Sequence, residues 1–185
     1  MKKYLTSIIL LIAVCAFADT TKEDSDGITL FAVASLPQGV EEAYLGDSVI
    51  VTLTLYANVD FAKIDNKSDK LPAVKHATVR RYRADRRLNQ DVAAYQGRRY
   101  YAVRTEQYAV TPNQLGELTF PAQKYDVVLS VKQRSRDPFD SFFPFGRTET
   151  RRVEKTCTSE PLRIKVIKRP RRTIEEMRRS GATLM

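Results

Sequence analysis

Side chains able to carry nucleophilic or metal chemistry are scarce in this sequence. The chain has one histidine, His76, and two cysteines, Cys15 and Cys157. A catalytic nucleophile normally has a histidine or lysine beside it, but His76 falls in a predicted strand and Cys157 stands between two threonines. The scattered carboxylates form no spacing typical of a zinc or calcium site. We therefore expect no enzyme activity and no metal or other cofactor, and we interpret Cys157 as a small buried apolar residue.

The segment Arg134–Arg147 is the most unusual part of the chain, because it combines four phenylalanines with two prolines and a glycine. The prolines and the glycine exclude a regular strand or helix, so the segment is a predicted surface loop. Exposed aromatic area of this size is unfavourable in water. Either Phe142 and Phe143 fold back to plug an open end of the fold, or the loop inserts its rings into a partner or a lipid interface. The candidate partner-binding residues are Arg136, Asp137, Phe139, Asp140, Phe142, Phe143, Phe145 and Arg147.

Arginines are concentrated in a second region of the chain. They are Arg80, Arg81, Arg83, Arg86 and Arg87, followed by Arg98, Arg99 and Arg104. Arg80 and Arg81 are consecutive in a predicted strand, so their side chains must point to opposite faces. The cluster is therefore not a single patch unless the loop after it gathers the remaining side chains.

The first 18 residues have the composition of a secretory signal peptide. Lys2 and Lys3 precede an apolar stretch, and Ala16 and Ala18 supply the small residues expected before a cleavage site. The apolar stretch is shorter than the roughly 20 residues that a membrane-spanning helix needs. We expect cleavage after Ala18 and export to the periplasm or cell envelope, with residues 19–27 as a flexible leader.

Composition and charge narrow the possible partners. The chain has 185 residues, 43% of them hydrophobic, and a formal net charge of +9. Loss of Lys2 and Lys3 with the signal lowers the charge to +7. Such a charge suits nucleic acid, an anionic surface or an acidic partner, and export argues against nucleic acid. With Cys157 as the one cysteine after cleavage, we expect no internal disulfide.

The residue pattern between residues 28 and 170 predicts strands and almost no helix. Residues 48–58 alternate apolar and polar side chains, as in a half-buried antiparallel strand, and strands are also predicted near residues 28–35, 74–82, 98–110, 115–121, 125–132 and 162–168. Residues 60–73 and 84–97 are predicted loops. Seven or eight short strands without intervening helices favour an all-β, immunoglobulin-like antiparallel β-sandwich. Residues 171–185 form a basic C-terminal tail in which a short helix is marginal.

Several short motifs resemble one known family. They are Gly46-Asp47, Gly97-Arg98-Arg99-Tyr100, Thr111-Pro112, Leu115-Gly116-Glu117-Leu118-Thr119-Phe120-Pro121, Asp137-Pro138-Phe139-Asp140 and Ser159-Glu160-Pro161-Leu162. Together they resemble the BatD, or Bacteroides aerotolerance (oxygen-tolerance), family between about Ile28 and Pro170. The resemblance implies a secreted immunoglobulin-like protein that works with von Willebrand factor type A membrane proteins and a MoxR-type AAA ATPase in an envelope-stress system. It implies no catalytic residues. Family members usually continue through further sandwich domains to a transmembrane helix, so the resemblance implies either a single-domain or a truncated member.

Two main hypotheses follow from the sequence, and a third is kept beside them. The chain is either an exported interaction module that binds envelope proteins through strand edges and the residue 139–145 loop, or a basic binding protein for an anionic envelope polymer or lipid. Binding of the second kind weakens as salt rises. The third hypothesis, an enzyme, requires a thiol-dependent activity that Cys157→Ser abolishes.

Overall fold

All the regular elements in the described residues are β-strands. The computed structural model describes residues 27–66, 70–84, 88–134 and 148–170. Its strands are β1 Leu30–Ser35, β2 Glu42–Tyr44, β3 Val49–Ala57, β4 Asp60–Asn66, β5 Ala77–Ala84, β6 Gln90–Tyr95, β7 Arg98–Pro112, β8 Gly116–Phe120, β9 Lys124–Arg134, β10 Thr148–Thr158 and β11 Leu162–Ile167.

The first sheet is built around β7. Its order is β1, β3, β7, and both β5 and β6 pair with the far edge of β7. β6 lies beside the first part of β7 and β5 beside the last part. β6 enters β7 through a two-residue turn at Gln96 and Gly97, which have φ angles of 49° and 78°. Two consecutive left-handed residues form a type I′ turn, whose twist matches that of the paired strands.

The second sheet is one bent structure, although its ladders fall into two groups, β10–β9–β4 and β2–β11–β8. Three residues on each side, 121–123 and 159–161, separate the ladders, and the pairing register is the same before and after them. In this gap the N–H of Ser159 donates to the carbonyl oxygen of Gln123 (2.8 Å). Each gap also contains one proline, which cannot donate to a ladder. β8 and β9 thus behave as one kinked strand, and β10 and β11 as its partner.

The two sheets face each other as a β-sandwich. The chain changes sheets after β1, and β2 runs parallel to β11 at the edge of the second sheet. Inward-facing side chains of both sheets form one apolar core, in which Leu53, Leu55, Phe120, Leu129 and Ile164 are fully buried. The alternation predicted for β3 is confirmed, because all its odd-numbered residues are buried.

The sandwich fold is as predicted, but the strand count is wrong. Eleven strands are found in the described residues, compared with the seven to eight expected. β4 and β6 lie within segments predicted as loops, and β2 and β10 were not predicted. The prediction for His76 is also wrong: it precedes β5, in a turn, with a φ angle of 58°. The signal, most of the leader and the basic tail lie outside the described residues.

Candidate functional site

The predicted binding loop connects β9 to β10, and residues 135–147 lie outside the described residues. This holds for every candidate partner-binding residue: Arg136, Asp137, Phe139, Asp140, Phe142, Phe143, Phe145 and Arg147. What the structure does describe is the stem that carries the loop. β9 and β10 remain paired up to Arg134 and Thr148, whereas β4 pairs with β9 no further than Ser130.

The stem therefore extends beyond the neighbouring strand of its own sheet. Four residues of β9, 131–134, continue past β4, which corresponds to about 13 Å at the rise of an antiparallel strand. Val131 is half-buried and packs against the edge of the core. Lys132, Arg151 and Arg152 are exposed, so the described base of the loop has basic side chains on its surface. Lys132 lies 3.9 Å from Asp60 at the start of β4.

A buried carboxylate, which the sequence analysis missed, lies between the two sheets. Glu106 of β7 is 8% exposed. Its Oε2 atom accepts hydrogen bonds from Asn66 Nδ2 (2.6 Å), Tyr108 Oη (2.8 Å) and Tyr125 Oη (3.4 Å). Arg81 of β5 lies 3.6 Å from its Oε1 atom. β4 and β9 of the second sheet are thereby joined to β5 and β7 of the first through one charged group.

A β-bulge turns Glu106 inward. The register between β3 and β7 shifts between Leu53 and Thr54, so Thr105 is an extra residue in β7. Its hydroxyl donates to the carbonyl oxygen of Leu53 (3.2 Å). Val103 before the bulge and Tyr108 after it both face the core, although the two residues are five positions apart, an odd spacing that would place them on opposite faces of a regular strand. Without the extra residue, Glu106 would lie on the same outer face as Arg104.

The hydroxyl groups around Glu106 stay protonated. Burial raises the pKa of Tyr108 to about 12, and its hydrogen bond to Glu106 adds to the rise. Burial also raises the pKa of Tyr125. Both groups therefore donate to the carboxylate at neutral pH, which partly offsets the cost of burying a charge. With three donors and an arginine around it, this carboxylate is occupied inside the fold and serves to join the sheets.

The residues weighed for nucleophilic or metal chemistry lie apart. Cys157 is buried, as predicted, and is not disulfide-bonded. Burial raises the pKa of its thiol to about 12. His76 is exposed in the turn before β5. Among the described residues no group of three or more histidine, cysteine or acidic side chains is arranged to hold a metal ion.

Arg80 and Arg81 point to opposite faces of β5, as their spacing predicts. Arg81 pairs with the inward-facing Tyr108 and reaches Glu106 although its side chain is 37% exposed, whereas the exposed Arg80 pairs with Ala109. Arg98, Arg99 and Arg104 are exposed along β7. The described part of the arginine cluster is thus divided between the two faces of the first sheet.

An aromatic cluster covers part of the outer face of the first sheet. Phe31 is 4% exposed there because three tyrosines surround it. Its ring stacks on Tyr56 (5.2 Å between centroids, 15° between planes), contacts Tyr95 at 5.0 Å and meets Tyr100 edge-on at 5.2 Å. These side chains come from β1, β3, β6 and β7. Contacts of this kind hold the four strands together on the side that faces solvent.

The fold and these sites define an all-β sandwich in which the β9–β10 stem extends past β4. Comparison of the chain with protein-family models, with curated proteins and with solved structures found no match. Within the described ranges no helix is long and apolar enough to cross a membrane.

Proposed function

We propose that the chain is an exported, non-enzymatic interaction module that docks on cell-envelope proteins through its β9–β10 hairpin. The observation that carries this proposal is the paired stem, which continues four residues past β4. At the end of that stem the sequence places four phenylalanines between arginines. Aromatic and arginine side chains are the types most enriched among residues that dominate binding energy at interfaces.

The resemblance to the BatD family supports a particular setting for this module. In that setting the partners are von Willebrand factor type A membrane proteins, and a MoxR-type AAA ATPase belongs to the same envelope-stress or oxygen-tolerance assembly. The signal-like N-terminus supports export to the periplasm or envelope with cleavage after Ala18. No nucleic acid takes part, and contact with an anionic membrane surface is weak.

The alternative function is binding of an anionic envelope polymer or lipid. The exposed Lys132, Arg151 and Arg152 on the stem favour it, because they place positive charge beside the loop. The two functions differ in their response to salt. Screening weakens contacts between exposed charges as ionic strength rises, whereas apolar docking of phenylalanine rings persists.

A pull-down from detergent-solubilised envelope tests the proposal. The mature chain from Asp19 is compared with Phe142→Ser/Phe143→Ser and with Tyr82→Ser, a control that removes an exposed aromatic ring elsewhere. We expect the unmodified chain and the control to capture the same membrane protein at low and high salt, and the double variant to lose it while its circular dichroism spectrum is unchanged.

The other outcomes contradict the proposal in distinct ways. Capture by all three proteins, or by none, would mean that the phenylalanines are not a docking site. Binding to vesicles of anionic lipid that disappears at high salt, together with loss of binding in Lys132→Ala/Arg151→Ala, would support the alternative function instead.

A further inference from the structure

A groove crosses the outer face of the first sheet, on the side away from the core. Its volume is about 350 Å³, and its lining residues are Thr54, Tyr56, Asn89, Asp91, Ala93, Ala102, Arg104 and Thr105. They come from β3, β6, β7 and the residue just before β6. The lining includes no residue of the β9–β10 hairpin, and it adjoins the buried Glu106 cluster only at Thr105, whose hydroxyl lies 3.4 Å from the Tyr125 hydroxyl.

Strand register explains why a depression forms at this position. Tyr56, Ala102 and Asp91 lie in one row across β3, β7 and β6, and Thr54 and Arg104 are opposite each other in the next row. Ala102 and Ala93 contribute only methyl groups, so the sheet surface is low between the longer side chains around them. The result is a small apolar floor with a tyrosine on one side and polar groups on the others.

Two opposite charges, Arg104 and Asp91, line this groove. Arg104 and Asp91 are both exposed, and neither makes a hydrogen bond or ion pair to any residue in the described part of the chain. A planar guanidinium and a planar carboxylate on one groove are therefore free to bind a ligand.

The polar groups of the groove match adjacent hydroxyl groups best. A guanidinium donates two parallel hydrogen bonds, a carboxylate accepts two, and the amide of Asn89 does both. The opposite charges cancel, so the groove as a whole does not select an anion or a cation. Screening also keeps single exposed charge pairs weak in water. A sugar meets these requirements, because its adjacent hydroxyls both donate and accept hydrogen bonds and its C–H face is apolar.

The Tyr56 side chain adds an aromatic surface in a fixed position. It is stacked on the buried Phe31 and lies 5.1 Å from the ring of Tyr95. Packing of this kind restricts the two side-chain torsions of Tyr56, so little conformational entropy remains to be lost when a ligand binds. The C–H face of a pyranose ring is the apolar surface that suits an aromatic ring beside a polar rim.

We propose that this groove binds a short segment of a neutral glycan. Tyr56 and the methyl groups of Ala93 and Ala102 contact the C–H face of a sugar ring, while Arg104 and Asp91 bind its neighbouring hydroxyls. The volume lies at the small end of ligand sites, which span about 300–1,000 Å³, so one or two sugar units fill it. Binding here does not depend on the proposed docking hairpin.

Titration of the ¹⁵N-labelled full chain with neutral trisaccharides tests the proposal. The probes are cellotriose, chitotriose and maltotriose, with glycylglycine as a zwitterion and inorganic phosphate as an anion for comparison. We expect at least one trisaccharide to shift the amide signals of residues 89–93 and 102–105. We expect Arg104→Ala and Asp91→Ala each to weaken that binding about tenfold.

Two further variants separate a local effect from a general one. Arg99→Ala removes an exposed arginine from the same strand outside the groove, and its affinity should equal that of the unmodified chain. Tyr56→Phe keeps the ring and should weaken binding only a few-fold. Matching amide spectra of the free variants show that each is folded.

Three results would overturn the proposal. In the first, none of the trisaccharides shifts the groove signals. In the second, a trisaccharide binds but its affinity is the same in Arg104→Ala and Asp91→Ala. In the third, glycylglycine or phosphate shifts the groove signals and the sugars do not, which assigns the groove to a charged ligand. Loss of envelope-protein capture in the hairpin variants has no bearing on any of these results.

Discussion

The environment of Glu106 depends on a single extra residue in β7. Thr105 reverses which face the following side chains occupy, so a glutamate that would otherwise be solvated lies between the sheets. Its charge is surrounded by Asn66, Tyr108, Tyr125 and Arg81. Removing one partner of a buried charged network leaves the other polar groups buried without a hydrogen-bond partner. The free-energy cost of that loss exceeds the net stabilisation that the intact network provides.

Glu106→Ala is therefore expected to destabilise the fold strongly. The substitution leaves two tyrosine hydroxyls and one amide without their acceptor, and we expect the free energy of unfolding to fall by about 3–5 kcal/mol. Glu106→Gln keeps one acceptor oxygen and should cost about 1–2 kcal/mol. Urea denaturation measures both. Glu117→Ala breaks an exposed pair with Arg163 (3.7 Å) and should change stability by less than about 0.5 kcal/mol; equal losses in Glu106→Ala and Glu117→Ala would show that the buried network is not stabilising.

Burial of Cys157 makes stability sensitive to alkaline pH. Its pKa rises from 9.0 to about 12 in the folded chain, so the unfolded chain releases this proton first. The stability contributed by the protonated thiol is complete below about pH 9 and is lost as pH rises towards about 12. The raised pKa of Tyr108 lowers the stability in the same way as the pH rises above 10.0.

The expected result is a fall in the urea midpoint between about pH 9 and about pH 12, less steep in Cys157→Val. Valine has no titrating group, so the difference between the two slopes isolates the thiol. The comparison is made in a Cys15→Ser background. Identical slopes in the two proteins would contradict a raised thiol pKa.

At the scale of single elements, the β6–β7 turn has the clearest conformational requirement. Gly97 has a φ of 78°, and a Cβ added there would meet no atom within 4 Å. Gly97→Ala therefore changes backbone strain alone, and we expect a loss of about 1 kcal/mol. Gln96→Asn, at a φ of 49°, should be stabilising by a few tenths of a kcal/mol because asparagine tolerates this region better. Urea midpoints of the two variants should move in opposite directions, and a shift of both in the same direction would refute this account.

Alternation of buried and exposed side chains separates strands that the sequence predicted from strands that it did not predict. β3 and β9 have one buried and one solvated face, so their side chains alternate. β4 loses its alternation at a bulge between Phe61 and Lys63. β6 is a hairpin edge strand in which Val92 and Tyr95 are the only apolar or aromatic side chains larger than alanine. β2 has three residues, which pair with a strand more than a hundred residues away.

The Glu106 cluster was missed for a related reason. Its members are far apart in the sequence, and Glu106 falls two residues after Arg104 in what looks like one polar face. The sequence did carry one signal, the odd spacing of five positions between the apolar residues Val103 and Tyr108. Two residues at that spacing face the same side of a strand only if a residue is inserted between them. Which side chains of different strands meet depends on the register between those strands, and the periodicity of a single sequence does not contain the register.

At the scale of the whole molecule, the two ladder groups of the second sheet belong to one folding unit. Register is continuous from β8–β11 to β9–β10, and a single core cluster includes residues of both sheets, among them Leu118, Leu129 and Ile164. The one cysteine described, Cys157, is not disulfide-bonded. Stability therefore rests on packing that both halves share, and a sandwich of this size is expected to unfold in one transition.

Tyrosine fluorescence makes this cooperativity measurable, because the chain has nine tyrosines and no tryptophan. Tyr108 and Tyr125 are fully buried on opposite sheets, so their emission reports on the interior, while far-ultraviolet circular dichroism reports on all strands. We expect the two signals to give the same urea midpoint, with and without reductant. Ile164→Val in β11 should lower the free energy of unfolding by about 0.5–1.5 kcal/mol and therefore lower both midpoints equally. A circular dichroism midpoint that moved while the fluorescence midpoint stayed in place would mean that the β2–β11–β8 ladder unfolds on its own. The kink at residues 121–123 and 159–161 would then be a boundary between two folding units and not a bend within one.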